Sequence, residues 1–127
     1  MVTVKYTRYR NDYDKKAESK SLYSLEDVAD WLFSRCVGSY KEGLFFIDPE
    51  NTRLTSYSGK LKLDNSCIST RYDDTGYCIW IDQIEDGGRI IYSTGKYTNG
   101  ICHWNDEIKQ WLRDCRIRQE SPQFNFG

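Results

Sequence analysis

The chain of 127 residues contains a single histidine, His103. That excludes every mechanism needing two imidazoles, including paired-histidine phosphoesterases and the H-E-x-x-H zinc motif. No apolar run approaches the roughly 18–20 residues that a membrane span requires. The opening residues, Met1 to Tyr6, lack a charged stretch followed by an apolar one, so no secretory signal is expected. With 18 Lys and Arg against 19 Asp and Glu, the basic surplus of a duplex-DNA binder is also missing. The five cysteines, Cys36, Cys67, Cys78, Cys102 and Cys115, form no C-x-x-C pair and have no regular spacing. An odd number of thiols in a chain without a leader points to free thiols in a reducing, cytoplasmic compartment, with neither metal nor cofactor expected.

Alanine is scarce, and aromatic residues take its place. They make up 15% of the chain, with ten Tyr and four Trp, against only two alanines. Tyr and Trp bury much area per residue while keeping a polar tip, which suits both a small core and a binding face.

Hydrophobic periodicity gives the elements. Residues 2–10 alternate as a strand, with Val2, Val4, Tyr6 and Arg8 on one face and Thr3, Lys5, Thr7 and Tyr9 on the other. The charged stretch 11–21 reads as a solvated loop. Ser24 is a suitable N-cap for a helix whose core stripe runs through Leu25, Val28, Ala29, Leu32, Phe33 and Cys36 and ends at Gly38, with Trp31 beside the stripe. Short strands are predicted over 44–48, 53–57, 60–64, 67–72, 77–85 and 89–94, separated by turn residues. The Asp86-Gly87-Gly88 turn is the strongest hairpin signal. A loop over 95–103 leads to a second helix over about 105–118, capped by Asn105, with Trp104, Ile108, Trp111, Leu112 and Cys115 on its apolar side. Strands clustered between helices predict an α+β domain over 1–120: an antiparallel sheet of about five to six strands with two amphipathic helices packed on one face. Residues 121–127 are expected to form a mobile tail.

No complete reaction centre emerges. Ser93-Thr94-Gly95-Lys96 resembles the end of a phosphate-binding loop, but Ile90 stands where the first glycine is needed and Tyr97 where a hydroxyl is needed. The loop could still cradle an anion through its backbone N–H groups and Lys96. Cys102 and His103 are neighbours, which in a strand point to opposite faces. Asp73 and Asp74 are separated from Glu85 and Asp86 by on the order of 30 Å along a strand at about 3.3 Å per residue, too far to share a metal. These acids, with Asp82, read as solvated turns.

The first strand interleaves Lys5, Arg8 and Arg10 with Tyr6 and Tyr9, an alternation suited to single-stranded nucleic acid or to protecting a sheet edge. The expectation is therefore a small non-enzymatic binding or inhibitory protein that occludes a protein partner, with Arg8, Tyr9, Trp31 and the 94–99 loop as contacts. Short, leaderless, tyrosine-rich chains are common among phage and mobile-element products that block a host system, and among immunity proteins. The alternatives are capture of a small anionic ligand such as a nucleotide by Arg71, Arg89, Thr94, Lys96, Tyr97 and Asn99, and single-stranded nucleic-acid binding. No membrane or duplex-DNA partner is expected, and a homodimer through a strand edge or a helix face fits the pattern.

Overall fold

A computed structural model describes residues 1–34, 44–46, 54–57, 60–63, 68–70 and 75–120. Several sequence expectations lie outside these residues: the helix end at Cys36 and Gly38, the turns at 49–51 and 58–59, Cys67, Arg71, Asp73, Asp74 and the tail. The elements run β1 (Val2–Asn11), β2 (Asp14–Leu22), α1 (Leu25–Phe33), β3 (Leu44–Phe46), β4 (Leu54–Tyr57), β5 (Lys60–Leu63), β6 (Ile68–Thr70), β7 (Cys78–Asp86), β8 (Arg89–Ser93), β9 (His103–Trp104) and α2 (Asp106–Glu120). The fold is α+β and every described strand pairing is antiparallel.

β7 organises the sheet. Along one side it pairs with β1, from Val2↔Asp86 to Tyr9↔Cys78. Its other side is shared end to end: β6 pairs near its start, Ser69↔Trp80, and β8 pairs with its last residues, Gln83 to Asp86. β3 extends the sheet beyond β6, β9 extends it beyond β8, and β2 forms the opposite edge beyond β1. β4 and β5 make a separate hairpin. The β7–β8 turn is the one the sequence announces. Gly87 and Gly88 have φ of 59° and 84°, the left-handed pair that a two-residue hairpin with the sheet's twist requires.

Residues 14–22 are strand β2, which corrects the solvated-loop expectation. Their charges hide the signal because an edge strand can be solvated on both sides, and β1 supplies the ladder from Val2↔Leu22 to Asn11↔Asp14. The intervening turn follows local chemistry: Asn11 Oδ1 accepts the Tyr13 N–H at 2.9 Å. The 95–103 loop is likewise shortened, since His103 and Trp104 pair with Ser93 and Tyr92. Trp104 accordingly packs on the core from β9 instead of from the second helix.

Both helices start as their caps predict. Ser24 Oγ accepts the Asp27 N–H at 3.2 Å, and Asn105 Oδ1 accepts the Ile108 N–H at 3.0 Å. One core unites Val28, Ala29, Leu32 and Phe33 of α1 and Ile108, Trp111, Leu112 and Cys115 of α2 with Val2, Val4, Tyr6, Ile79, Ile81, Ile84, Ile91 and Tyr92 of the sheet. Each fully buried aliphatic side chain here contributes about 1.5–3 kcal/mol of apolar transfer energy. The helices touch each other as well. Trp111 Nε1–H donates to Leu25 O at 2.8 Å, and Arg118 pairs with Asp30 at 2.7 Å. Among the described residues no helix is long and apolar enough to cross a membrane.

Candidate binding face

A register shift in β7 creates the site. Lys5 pairs with Gln83 and Tyr6 with Ile81, leaving Asp82 as the extra residue of a β-bulge. Without it, strict alternation would aim either Asp82 or Gln83 into the apolar core. With it, Ile81 and Ile84 face the helices while Asp82 and Gln83 accompany Thr7 and Lys5 on the opposite face.

Asp82 is only 6% exposed. Its Oδ2 accepts the Thr7 hydroxyl proton at 2.6 Å and lies 3.5 Å from Lys96 Nζ, which donates to Thr7 Oγ1 at 2.9 Å. The Asp82 backbone carbonyl accepts both the Thr94 N–H, at 3.0 Å, and the Thr94 hydroxyl, at 3.3 Å. Burial pushes the Asp82 carboxyl above its ordinary value, and the Thr7 hydrogen bond and the Lys96 charge offset only part of that. Thr7 is itself only 4% exposed, so its hydroxyl acts within this cluster as a positioning group. Beside it, Gln83 Nε2–H donates to Glu85 Oε1 at 2.8 Å, while the buried Gln83 Oε1 has no hydrogen-bond partner among the described residues.

The cluster pins the loop that follows β8. Gly95 and Gly100 close the loop with φ of 98° and 86°, and a Cβ on Gly95 would lie 3.0 Å from the Gly100 carbonyl carbon. Gly100 N–H donates to Gly95 O at 2.9 Å, Gly95 N–H to Ser93 Oγ at 3.1 Å, and Ile101 N–H to Thr98 O at 2.9 Å. The Ser93 and Thr98 hydroxyls share a hydrogen bond of 2.9 Å, and Thr98 also bonds Ile101 O. Tyr97 is thereby held 43% exposed, with Lys5 Nζ 5.0 Å and Lys96 Nζ 5.5 Å from its ring centre. On the same face Tyr9 stacks on Trp80, with ring centres 4.2 Å apart and planes 22° apart.

The predicted contact residues separate into three places. Thr94, Lys96, Tyr97 and Asn99 do sit together, but Lys96 is engaged by Thr7 and Asp82, and the Gly95 and Gly100 N–H groups are held by acceptors within this segment. Arg89 lies at the far end of β8, about 13 Å along the strand from Ser93, and pairs with Glu107 at 3.2 Å. Arg71 lies outside the described residues. Tyr9 belongs to the face just described. Arg8 points to the other side, 4.1 Å over the Tyr77 ring, which Arg10 also approaches at 5.2 Å. The Tyr77 hydroxyl donates to Asp14 at 2.6 Å, which raises its pKa together with the Asp14 charge. Trp31 packs on Tyr6 at 5.1 Å, beneath Lys20, where it closes the edge of the core.

Asp82 corrects the reading of these acids as solvated turns, and Thr7, Lys5 and Trp80 complete a constellation that the sequence does not advertise. One signal was present: an aspartate inside the isoleucine-rich strand run Ile79-Trp80-Ile81-Asp82-Gln83-Ile84, where a solvated turn has no place. Among the described cysteines, Cys78 and Cys115 are buried and Cys102 is half-buried, its thiol 3.7 Å from Thr94 O. No group of three His, Cys, Asp or Glu side chains converges among the described residues. Comparison with known proteins finds no matching family model, curated sequence or solved structure.

Proposed function

We propose that the chain is a binding module that occludes a protein partner through the sheet face opposite its helices. The observation that carries this reading is the placement of Tyr97 near two lysines, on the same side of the sheet as the Tyr9–Trp80 stack and opposite the side that packs on the helices. Aromatic anchors are enriched at interface centres, with a polar rim around them. The Thr7–Asp82–Lys96 cluster fixes the loop before binding, so little ordering entropy remains to be lost on association. Lys5, Lys15 and Lys96 favour a partner surface rich in Asp and Glu. By covering that surface, the module would block whatever else the partner binds there.

Single-stranded nucleic acid is the second reading, favoured by the ring–cation pairs and by a first segment, 1–22, with six Lys and Arg against three Asp and Glu. Affinity capture from nuclease-treated host lysate separates the two, using the wild type and a Trp80→Ala/Tyr97→Ala variant of matched secondary structure. A stoichiometric protein retained by the wild type and lost by the variant supports occlusion. Binding of labelled single strands that weakens steeply with salt, and is lost in the same variant, replaces it with the nucleic-acid reading.

A further inference from the structure

The outer edge of β2 has no strand beside it among the described residues. Lys15, Lys16, Ala17, Ser19, Lys20 and Ser21 are all exposed, and β2 is nine residues long with no proline; the one register shift against β1, at the step from Lys15 to Asp14, takes its extra residue, Arg10, from β1. Such an edge is a template for another strand unless its charges repel the newcomer. The sequence of charges decides which newcomer fits.

Cross-strand register places Lys16, Glu18 and Lys20 opposite Arg8, Tyr6 and Val4, so these three share the helix-side face, followed in alternation by Asp14. When two identical strands pair about a two-fold axis normal to the sheet, each residue meets one from the same face. The axis must therefore pass through a residue and not between two. Centred on Ala17, the pairing sets Lys16 against Glu18 twice and Asp14 against Lys20 twice, with Ala17 meeting Ala17 and Lys15 meeting Ser19. Centred on Lys16, it sets Lys16 against itself and Asp14 against Glu18. Centred on Glu18, it sets Glu18 against itself and Lys16 against Lys20. Moving on to Ser19 retains only the Glu18–Lys20 pairs. The Ala17 register alone offers four opposite-charge pairs and no like-charge pair.

We infer that β2 is a self-complementary edge through which a second copy of this chain extends the sheet, in the register centred on Ala17. Backbone hydrogen bonds supply most of the attraction, and the four charge pairs select the register, since exposed pairs individually contribute little. α1 begins beyond the C-terminal end of β2, so the two-fold places the two copies of that helix at opposite ends of the joint. A contact of one strand edge is small, and the dimer is accordingly weak and concentration-dependent. This inference is independent of the proposed binding face.

Sedimentation velocity and native mass spectrometry of the full chain, from about 10 μM to about 1 mM, test it. The wild type should approach twice its 15.0 kDa mass as concentration rises. Lys16→Glu and Glu18→Lys should each remain monomeric alone, yet pair with one another when mixed, because every central pair then joins opposite charges. Ala17→Arg, which puts two cations on the axis at an exposed site away from the core, should also be monomeric with an unchanged melting temperature. It keeps the test decisive should Glu18→Lys, which loses the Tyr6 hydroxyl contact of 2.9 Å, fail to fold. A wild type monomeric at the highest concentration, a dimer that survives Ala17→Arg, or single variants that do not pair on mixing would each overturn the inference. So would an edge found to carry only a foreign strand.

Discussion

Replacing Asp82 separates two contributions that the fold combines at one atom. In Asp82→Ala the buried Thr7 hydroxyl loses its 2.6 Å acceptor, and leaving such a group unsatisfied costs about 1–3 kcal/mol. Lys96 has a side chain 44% exposed, so its ammonium can be hydrated once the carboxylate is gone and adds little to that cost. For a chain of this length the loss corresponds to a melting temperature lower by about 4 °C per kcal/mol. Asp82→Asn keeps an acceptor for Thr7 and removes the charge that burial disfavours, so it should lie within about 1 kcal/mol of the wild type. The pH dependence then fixes the sign. Because the folded-state pKa of Asp82 lies above its ordinary 3.8, folding favours the protonated form. As the pH falls from 7 through the folded pKa, the wild type should gain stability relative to Asp82→Asn, and the gain should level off below the unfolded value. Thermal melts of the three proteins between pH 3.5 and 7.5, followed by circular dichroism, measure this difference with the other titrating groups cancelled. A wild type that loses stability relative to Asp82→Asn on acidification would show that Lys96 and Thr7 outweigh burial. Burial would then not be the dominant influence on Asp82 in the folded chain.

Other consequences follow from single contacts. Burial pushes the Cys115 thiol up to about 12, so at pH 8 it should resist alkylation in the native protein and react only after denaturation, which peptide mass spectrometry reads directly. Gly88→Ala meets no atom within 4 Å and strains only the backbone at φ 84°, a cost of about 1 kcal/mol. Gly95→Ala must also displace the Gly100 backbone, so its melting temperature should fall further and partner capture should weaken as Tyr97 moves. Trp111→Phe removes the bond to Leu25 O, with a loss of about 1 kcal/mol in chemical denaturation, whereas Trp111→Ala also empties a core site and should cost about 3–5 kcal/mol.

What the sequence revealed of the fold depended on whether local chemistry and tertiary pairing agreed. Ser24, Asn105 and Gly87-Gly88 act on atoms within four residues, so their caps and turn are legible without the rest of the chain. β2 was not legible because its strand character comes from β1. Residues such as Lys15, Lys16 and Glu18 are unremarkable in a loop and equally at home on an edge with water on both sides. The candidate binding face was still less accessible. Thr7, Asp82 and Lys96 come from three strands or loops separated by 75 and 14 residues, and a one-residue bulge brings them to one side. No periodicity encodes that bulge, and a period-2 reading of 78–86 places either Asp82 or Gln83 on the wrong face.

The bulge also explains why the polar cluster is tolerated where an apolar pair would pack with less penalty. A bare second face of β-branched residues would leave the long β7 sticky on both sides, open to indiscriminate sheet-on-sheet association. Placing Thr7, Asp82 and Gln83 there, all three buried, gives that side groups that fix the loop after β8 and leaves its accessible surface to Lys5, Lys96 and the rings of Tyr9, Trp80 and Tyr97. If a partner covers this face as proposed, it must match those rings and the lysines around them, and a surface lacking that pattern would desolvate Lys5 and Lys96 without compensation. On the proposed reading, selectivity would come from the buried carboxylate as much as from the rings. Asp82 and Thr7 engage Lys96, whose Nζ lies 5.5 Å from the Tyr97 ring centre.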